Sequence, residues 1–471
     1  MKHRLLAHRL LNSRVNSENT TKTEKAFGYF LGPCLVYTMY TGVAGTYLTQ
    51  FYTDVLGLAG AILTWMPLIS KLLSAVLCFG IGKVIDHTRT AQGKARPWIF
   101  ISGILLTLCG VLLYTVPKGS YGFQIAWVVV SYNLFFSIAF SLYSLSHSMM
   151  VPLSTRDTKQ RDSLAMLTST GTSMIPGMIS TIVMPLMVTR IGVGTQAQGS
   201  WITVMGILSA LAIPATLLEY YFTRERITEE NSQKETPEIL SLKKQAAVCV
   251  KDKYWVLVIL FTLISHLCGN ISTSSMLYYC NWVLGNSVEG GAVNQILVNM
   301  IGQAPMGFGV FILWPLVRRF GKQKVCVIGF SLAAAGALIV LLSGSNMVPV
   351  LTGLFIKSIG ALPTYLTAAL LAEALDHIEH QSGFRPDGFS ASVNSITQPM
   401  AVGLSQTLLL AGIQILGYIV PESTSQMIVQ PETIRHFFAV CFAGVPMVGY
   451  ALCAVIMSLY TTGKPSISET L

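Results

Sequence analysis

Twelve apolar stretches follow one another along this chain, each long enough to cross a lipid bilayer, and that succession leaves few folds open. They cover residues 27–52, 60–84, 97–117, 122–149, 163–189 and 200–221, then 254–280, 292–316, 323–343, 347–374, 389–419 and 433–459. Spanning the hydrocarbon core takes about 20 residues, so the longer stretches imply tilt or extension into the headgroups. Inside hydrocarbon every backbone N–H and C=O must bond within its own segment, which makes these stretches helices. The chain is 52% hydrophobic and only 11% charged, where a soluble domain carries about 25% charge. The expectation is an all-α polytopic membrane protein with 12 transmembrane helices.

Charge divides and orients the chain. The longest polar segment, residues 222–253, separates the sixth and seventh stretches and mixes Arg224, Arg226, Lys243 and Lys244 with Glu225, Glu229 and Glu230. Two six-helix bundles, 27–221 and 254–460, joined by a linker at 222–253 and flanked by tails at 1–26 and 461–471, follow from that division. With the N-terminus in the cytoplasm, the inside loops hold Lys83, Arg89, Lys94, Arg96, Arg156, Lys159, Arg161, Arg318, Arg319, Lys322 and Lys324. The outside loops hold Lys118, Arg190 and Arg435, and this asymmetry places both termini inside. A net charge of +10 spread over short loops forms no single basic face, which argues against a nucleic-acid partner.

Other chemistries lack their machinery. The nine cysteines show no paired zinc spacing, no metal site is expected, and the cysteines read as buried thiols. No Walker A sequence and no serine-elbow motif occurs, so the chain does not read as an enzyme and needs no cofactor. Glycines within the stretches permit close helix approach, and Pro67, Pro176, Pro305, Pro363 and Pro399 interrupt helices. Ordinary packing accounts for most of both.

Four loop segments carry a family resemblance. Gly82-Lys83-Val84-Ile85-Asp86-His87-Thr88-Arg89, continued by Gly93-Lys94-Ala95-Arg96-Pro97-Trp98, resembles the signature between helices two and three of the glycoside–pentoside–hexuronide:cation symporters. That family is the melibiose-permease-like branch of the major facilitator superfamily. Phe51 to Leu58 resembles its end of helix one, and Arg318-Arg319-Phe320-Gly321-Lys322 its loop between helices eight and nine. Ala372 to Glu379, with Arg385, Asp387 and Gly388, resembles the loop between helices ten and eleven. The resemblance implies the major facilitator fold, a cell inner-membrane location and a sugar-like substrate. Asp86, Arg89, Lys94, Arg96, Glu373, Asp376 and Arg385 are gating candidates able to pair between the bundles, and interfacial anchoring is the plainer reading of the same charges.

The chain departs from that family where its cation chemistry resides. Relatives place two aspartates four residues apart on helix two, and those positions fall at Ser74 and Cys78. The aspartate of helix four falls at Ser144, the acidic sugar-binding position of helix one near Thr38, and the lysine of helix eleven near Gln398 or Pro399. Serine and cysteine supply neither negative charge nor a group titrating near neutral pH. Sodium coupling is therefore not expected, and protons through His147 or His266 remain open.

Lys71, about midway along the second stretch, is costly unless paired, which invites an anionic ligand such as a uronate; a snorkelling side chain is the alternative. Tyr37, Tyr40, Tyr143, Tyr278 and Trp282 are candidates for stacking on a sugar, and Asn270 for a polar contact, although aromatics near helix ends often serve as interface anchors. The expected function is alternating-access transport of a sugar, glycoside or related neutral or anionic solute by a carrier among membrane lipids that need not oligomerise. A non-transporting receptor or assembly protein on a transporter fold is the alternative.

Overall fold

The computed structural model describes residues 13–15, 17, 19–40, 47–58, 61–88, 90, 92–155, 157–193, 197–226, 242–384 and 386–460. Among these residues, regular structure is helical throughout. Among the described residues, nine helices are long and apolar enough to cross a membrane. They are α2 (Ala61–His87), α3 (Arg96–Tyr114), α4 (Tyr121–Ser154), α6 (Gln198–Phe222), α7 (Lys253–Trp282), α9 (Lys322–Leu342), α10 (Met347–Ser382), α11 (Asp387–Ile415) and α12 (Glu432–Ser458). The remaining three expected crossings are helical too: α1 at residues 24–40 and 47–55, α5 at residues 158–191, and α8 at Val288–Phe320.

The chain forms two compact units. The first comprises Met1–Glu235 with Ser287–Ile296 and Gly417–Ile428; the second comprises Thr236–Asn286, Leu297–Leu416 and Val429–Leu471. In the first, small residues set how near the helices come. A Cβ on Gly32 of α1 would lie 3.0 Å from the Ala215 carbonyl oxygen and 3.0 Å from the Glu219 Cβ, so α1 and α6 meet almost backbone to backbone. Wide π-helical turns at Leu134–Phe140 in α4 and Glu24–Leu31 in α1 break the ordinary helical period, a feature frequent near functional sites.

In the second unit, α9 and α10 pack along facing glycines. A Cβ on Gly336 would run into the Lys357 backbone nitrogen, and one on Gly360 into that of Ala333. Dispersion between closely approached helices replaces the hydrophobic drive that lipid removes. A buried core of Trp255, Phe261, Phe330, Leu370 and Tyr450 fills the interior of this unit. Helix α7 starts where Asp252 accepts the Trp255 backbone N–H at 2.8 Å, an N-cap worth about 1 kcal/mol. Outward faces keep apolar side chains such as Ile69, Val76, Ile328 and Val348 exposed, as lipid contact requires.

Candidate functional site

Three helices of the first unit bring most of its sequence candidates onto one face. From α1 come Tyr37 and Tyr40, from α2 Lys71 and Ser74, and from α4 Phe136, Ser137, Phe140, Tyr143, Ser144 and His147. The Tyr37 hydroxyl lies 3.2 Å from the Ser144 Oγ. Tyr40 stacks on Phe140 with ring centres 3.4 Å apart, and the Tyr37 ring meets Phe140 edge-on at 5.4 Å.

Lys71 is buried in this face at 8% exposure and does not snorkel. Its Nζ donates to the Tyr40 hydroxyl at 3.4 Å and lies 4.8 Å from the Phe136 ring centre. Among the described residues no carboxylate is within ion-pair distance of it. Cation–π contact offers about 0.5–2 kcal/mol. An ammonium at membrane depth costs about 2.5–3.5 kcal/mol even on the mildest scale. With two rings and the Tyr40 hydroxyl around it, the cage offsets much of that cost.

At the position where the resemblance implies a carboxylate, Ser74 Oγ is 2.8 Å from both the Ser70 carbonyl oxygen and the Ser137 Oγ. Ser137 Oγ is in turn 3.1 Å from the Asn133 Oδ1. This is a neutral chain of hydroxyls and an amide bridging α2 and α4. Cys78 is half-buried one turn further along α2, and the Thr38 hydroxyl is spent on the Cys34 carbonyl at 2.7 Å.

Below this face lies a contact that the sequence did not reveal. His147 Nδ1 is 2.6 Å from Glu219 Oε1 of α6, and the Tyr143 hydroxyl donates to Glu219 Oε2 at 2.7 Å. Tyr143 and His147 are stacked at 5.8 Å. The available signal was an acid within an apolar stretch, which demands a partner.

The second unit holds the other candidates separately. On α7, the Asn270 side-chain amide donates to the His266 carbonyl at 2.7 Å. Lys357 of α10, half-buried and set over an aromatic ring, reaches the Ser272 Oγ at 2.8 Å and lies 5.0 Å from the Phe442 ring centre. Tyr278 and Trp282 are 1% exposed. Tyr278 stacks on Phe438 at 5.1 Å, and the Trp282 carbonyl accepts from the Arg435 Nε at 3.0 Å, so both are packed into the interior of the unit. Gln398 is exposed on α11.

Among the gating candidates, Arg89 and Arg385 lie outside the described residues, and only the backbone of Asp86 is placed. Arg96 is 3% exposed, and its guanidinium donates to the Tyr220 carbonyl at 2.7 Å. The Lys94 backbone N–H donates to Glu225 at 2.9 Å. Glu373 pairs with Lys322 at 2.5 Å, and Asp376 stands on the same helix. A cleft of about 1010 Å³ lined by Val183, Leu186, Arg190 and Thr203 contains none of the sequence candidates.

The pattern of the MFS/sugar transport protein family matches residues 28–464, nearly the whole chain. The chain belongs to this family. Within it, the chain is 25% identical over 455 residues to the isoprimeverose transporter of Lactiplantibacillus pentosus, covering 96% of this chain and 91% of that one. It is 24% identical over 408 residues to the glucuronide carrier protein homolog of Escherichia coli (strain K12), covering 83% of each. The solved D-xylose-proton symporter has the same fold, with a TM-score of 0.61 at 13% identity over 93% of this chain and 98% of that one. This MFS/sugar transport protein is thus a membrane-embedded secondary transporter of the glycoside–pentoside–hexuronide type and not an enzyme.

Proposed function

We propose that this transporter carries a glycoside or related sugar, with a place for a carboxylate beside Lys71, by alternating access and without the family's sodium site. The aromatic face of Tyr37, Tyr40 and Phe140 suits a sugar ring, whose C–H groups stack on aromatic rings while its hydroxyls bond to Ser144. The observation that carries the reading is Lys71. It is a buried ammonium held by a hydroxyl and two rings, with no carboxylate in reach among the described residues.

The sodium part of the reading rests on the neutral chain Ser74–Ser137–Asn133. Hydroxyl and amide oxygens without a carboxylate hold a monovalent cation poorly, and the ammonium of Lys71 one turn earlier repels it. The relatives named for isoprimeverose and for glucuronides are consistent with a neutral or an acidic glycoside. Both termini on the cytoplasmic side follow from the loop charges.

A thermal-shift screen of the purified protein tests the substrate class. Isoprimeverose, a methyl glucuronide and the matching methyl glucoside are compared with and without sodium. Ligands that bind the folded form raise the melting temperature. The expected result is stabilisation by a glycoside, larger for the uronate than for its neutral twin, and indifferent to sodium. Stabilisation that appears only with sodium would contradict it.

A further inference from the structure

A buried carboxylate and a buried imidazole meet in the first unit, beneath the sugar face. Glu219 is 0% exposed and His147 is 3% exposed, with Nδ1 2.6 Å from Oε1. The Tyr143 hydroxyl donates to the other carboxylate oxygen at 2.7 Å. Two donors aimed at one carboxyl group suit a carboxylate acceptor, which fixes the hydrogen of the imidazole on Nδ1. The nitrogen left to gain or lose a proton is Nε2. It is buried and has no hydrogen-bond partner among the described residues.

We propose that His147 Nε2 is a proton-binding site of this carrier, held in place by Glu219 and Tyr143 and coupled to the sugar face through Tyr37. Loading adds one proton to the Nε2 lone pair. A neutral imidazole beside a carboxylate, net charge −1, becomes an imidazolium–carboxylate pair of net charge zero, and release reverses the step. In a medium where net charge is expensive, the loaded state is the cheaper one to bury. The proton thereby acts as the co-substrate that a sodium ion supplies elsewhere.

The neighbours leave this role to His147. Tyr29, Cys34 and Tyr37 face the pair from α1, and Tyr143 from α4. Phenols and thiols are ordinarily neutral at pH 7. Arg96 of α3 is directed at the backbone carbonyl of Tyr220, the residue after Glu219. Arg226 is paired with Glu24 at 2.8 Å. Coupling has a short route: the Tyr37 ring lies 6.2 Å from the His147 ring and 6.4 Å from that of Tyr40, whose hydroxyl accepts from Lys71.

Only the coupling half of the proposal rests on sugar carriage by this chain, and the experiment separates the two. The full chain, labelled with 15N-histidine and reconstituted in lipid, is titrated from pH 5 to 9. One signal, absent in His147→Gln, is expected to report protonation at Nε2. Glu219→Gln should displace that signal, because the carboxylate touches the imidazole through Nδ1. Should His147→Gln fail to fold, a signal displaced in both Glu219→Gln and Tyr143→Phe makes the same assignment. A His147 Nε2 that stays in one state across the range, or no signal displaced by either variant, overturns the site.

For coupling, isoprimeverose uptake driven by an acid-outside gradient is divided by counterflow without one. The ratio should exceed one in the wild type and fall to one in His147→Gln and Glu219→Gln. A ratio that stays high in both variants overturns the coupling. If the wild type carries neither isoprimeverose nor methyl glucuronide, sugar carriage fails while the titration still decides the proton site.

Discussion

Glu225 accepts the backbone N–H of Arg96 at 2.9 Å across 129 positions of sequence, and with it those of Lys94 and Ala95 at 2.9 and 2.8 Å. A carboxylate from beyond the end of α6 thus caps the start of α3, where three orphan N–H groups and the helix dipole attract negative charge. Gly93 makes the approach possible. It adopts φ of +110°, and a Cβ there would run into the Glu225 carboxyl group. Loss of such a cap costs about 0.5–2 kcal/mol. Glu225→Ala and Gly93→Ala should each lower the thermal midpoint in detergent, and the double variant should lose less than the sum because both break one contact. Full additivity would show the two effects to be independent.

Lys71→Met keeps the length of the side chain and removes the charge. The variant should insert and fold like the wild type, because an apolar side chain between Tyr40 and Phe136 costs nothing in a membrane interior. Affinity for a uronate, measured by titration calorimetry on purified protein, should fall at least about tenfold, the worth of one charge-assisted contact of about 1.5–3 kcal/mol. Affinity for the neutral glycoside should change far less. Equal affinity for the uronate in both proteins would remove Lys71 from the site.

Restoring acids at Ser74 and Cys78 should not create sodium coupling. A carboxylate at position 74 would stand three residues from Lys71 on the same helix face and pair with that ammonium in preference to a hydrated cation. Uptake by the double aspartate variant is expected to ignore sodium. A steep new sodium dependence would show that the remaining oxygen ligands are already in place.

Cys249 offers a check on the helix that leads into the second unit, Leu242–Lys251. Its side chain is fully buried; burial first, and the nearby charge of Asp252 second, push the thiol up to about 11. At pH 7 only about one thiol in ten thousand is then the reactive thiolate. Maleimide should label half-buried Cys78 before Cys249. Its labelling of Cys249 should rise with pH towards 11. Rapid labelling of Cys249 at pH 7 would mean that this helix does not pack as described.

Much of the fold was legible because membrane helices announce themselves by length and apolarity, and the expected crossings coincide with helices. The aromatic face of the first unit was legible in its parts. Tyr37 and Tyr40 lie three apart, and Tyr143 and Ser144 are adjacent, so helical spacing alone gathers them. The partner of His147 was not legible. Glu219 is 72 positions away on another helix, and which residues meet between two helices is a property of packing with no periodicity to read. Tyr278 and Trp282 looked like cavity aromatics for the opposite reason. A buried aromatic and a ligand-facing one share the same spacing, and only the stacking on Phe438 tells where Tyr278 points.

The central claim, sugar carriage without the family's sodium site, is tested most directly by counterflow in proteoliposomes. Vesicles holding the full chain are loaded with unlabelled isoprimeverose or methyl glucuronide and diluted into the labelled sugar, with sodium or with choline as the cation. The account predicts saturable exchange of at least one of the two at the same rate in both salts. Exchange that requires sodium, or binding of both sugars with no exchange of either, would contradict it.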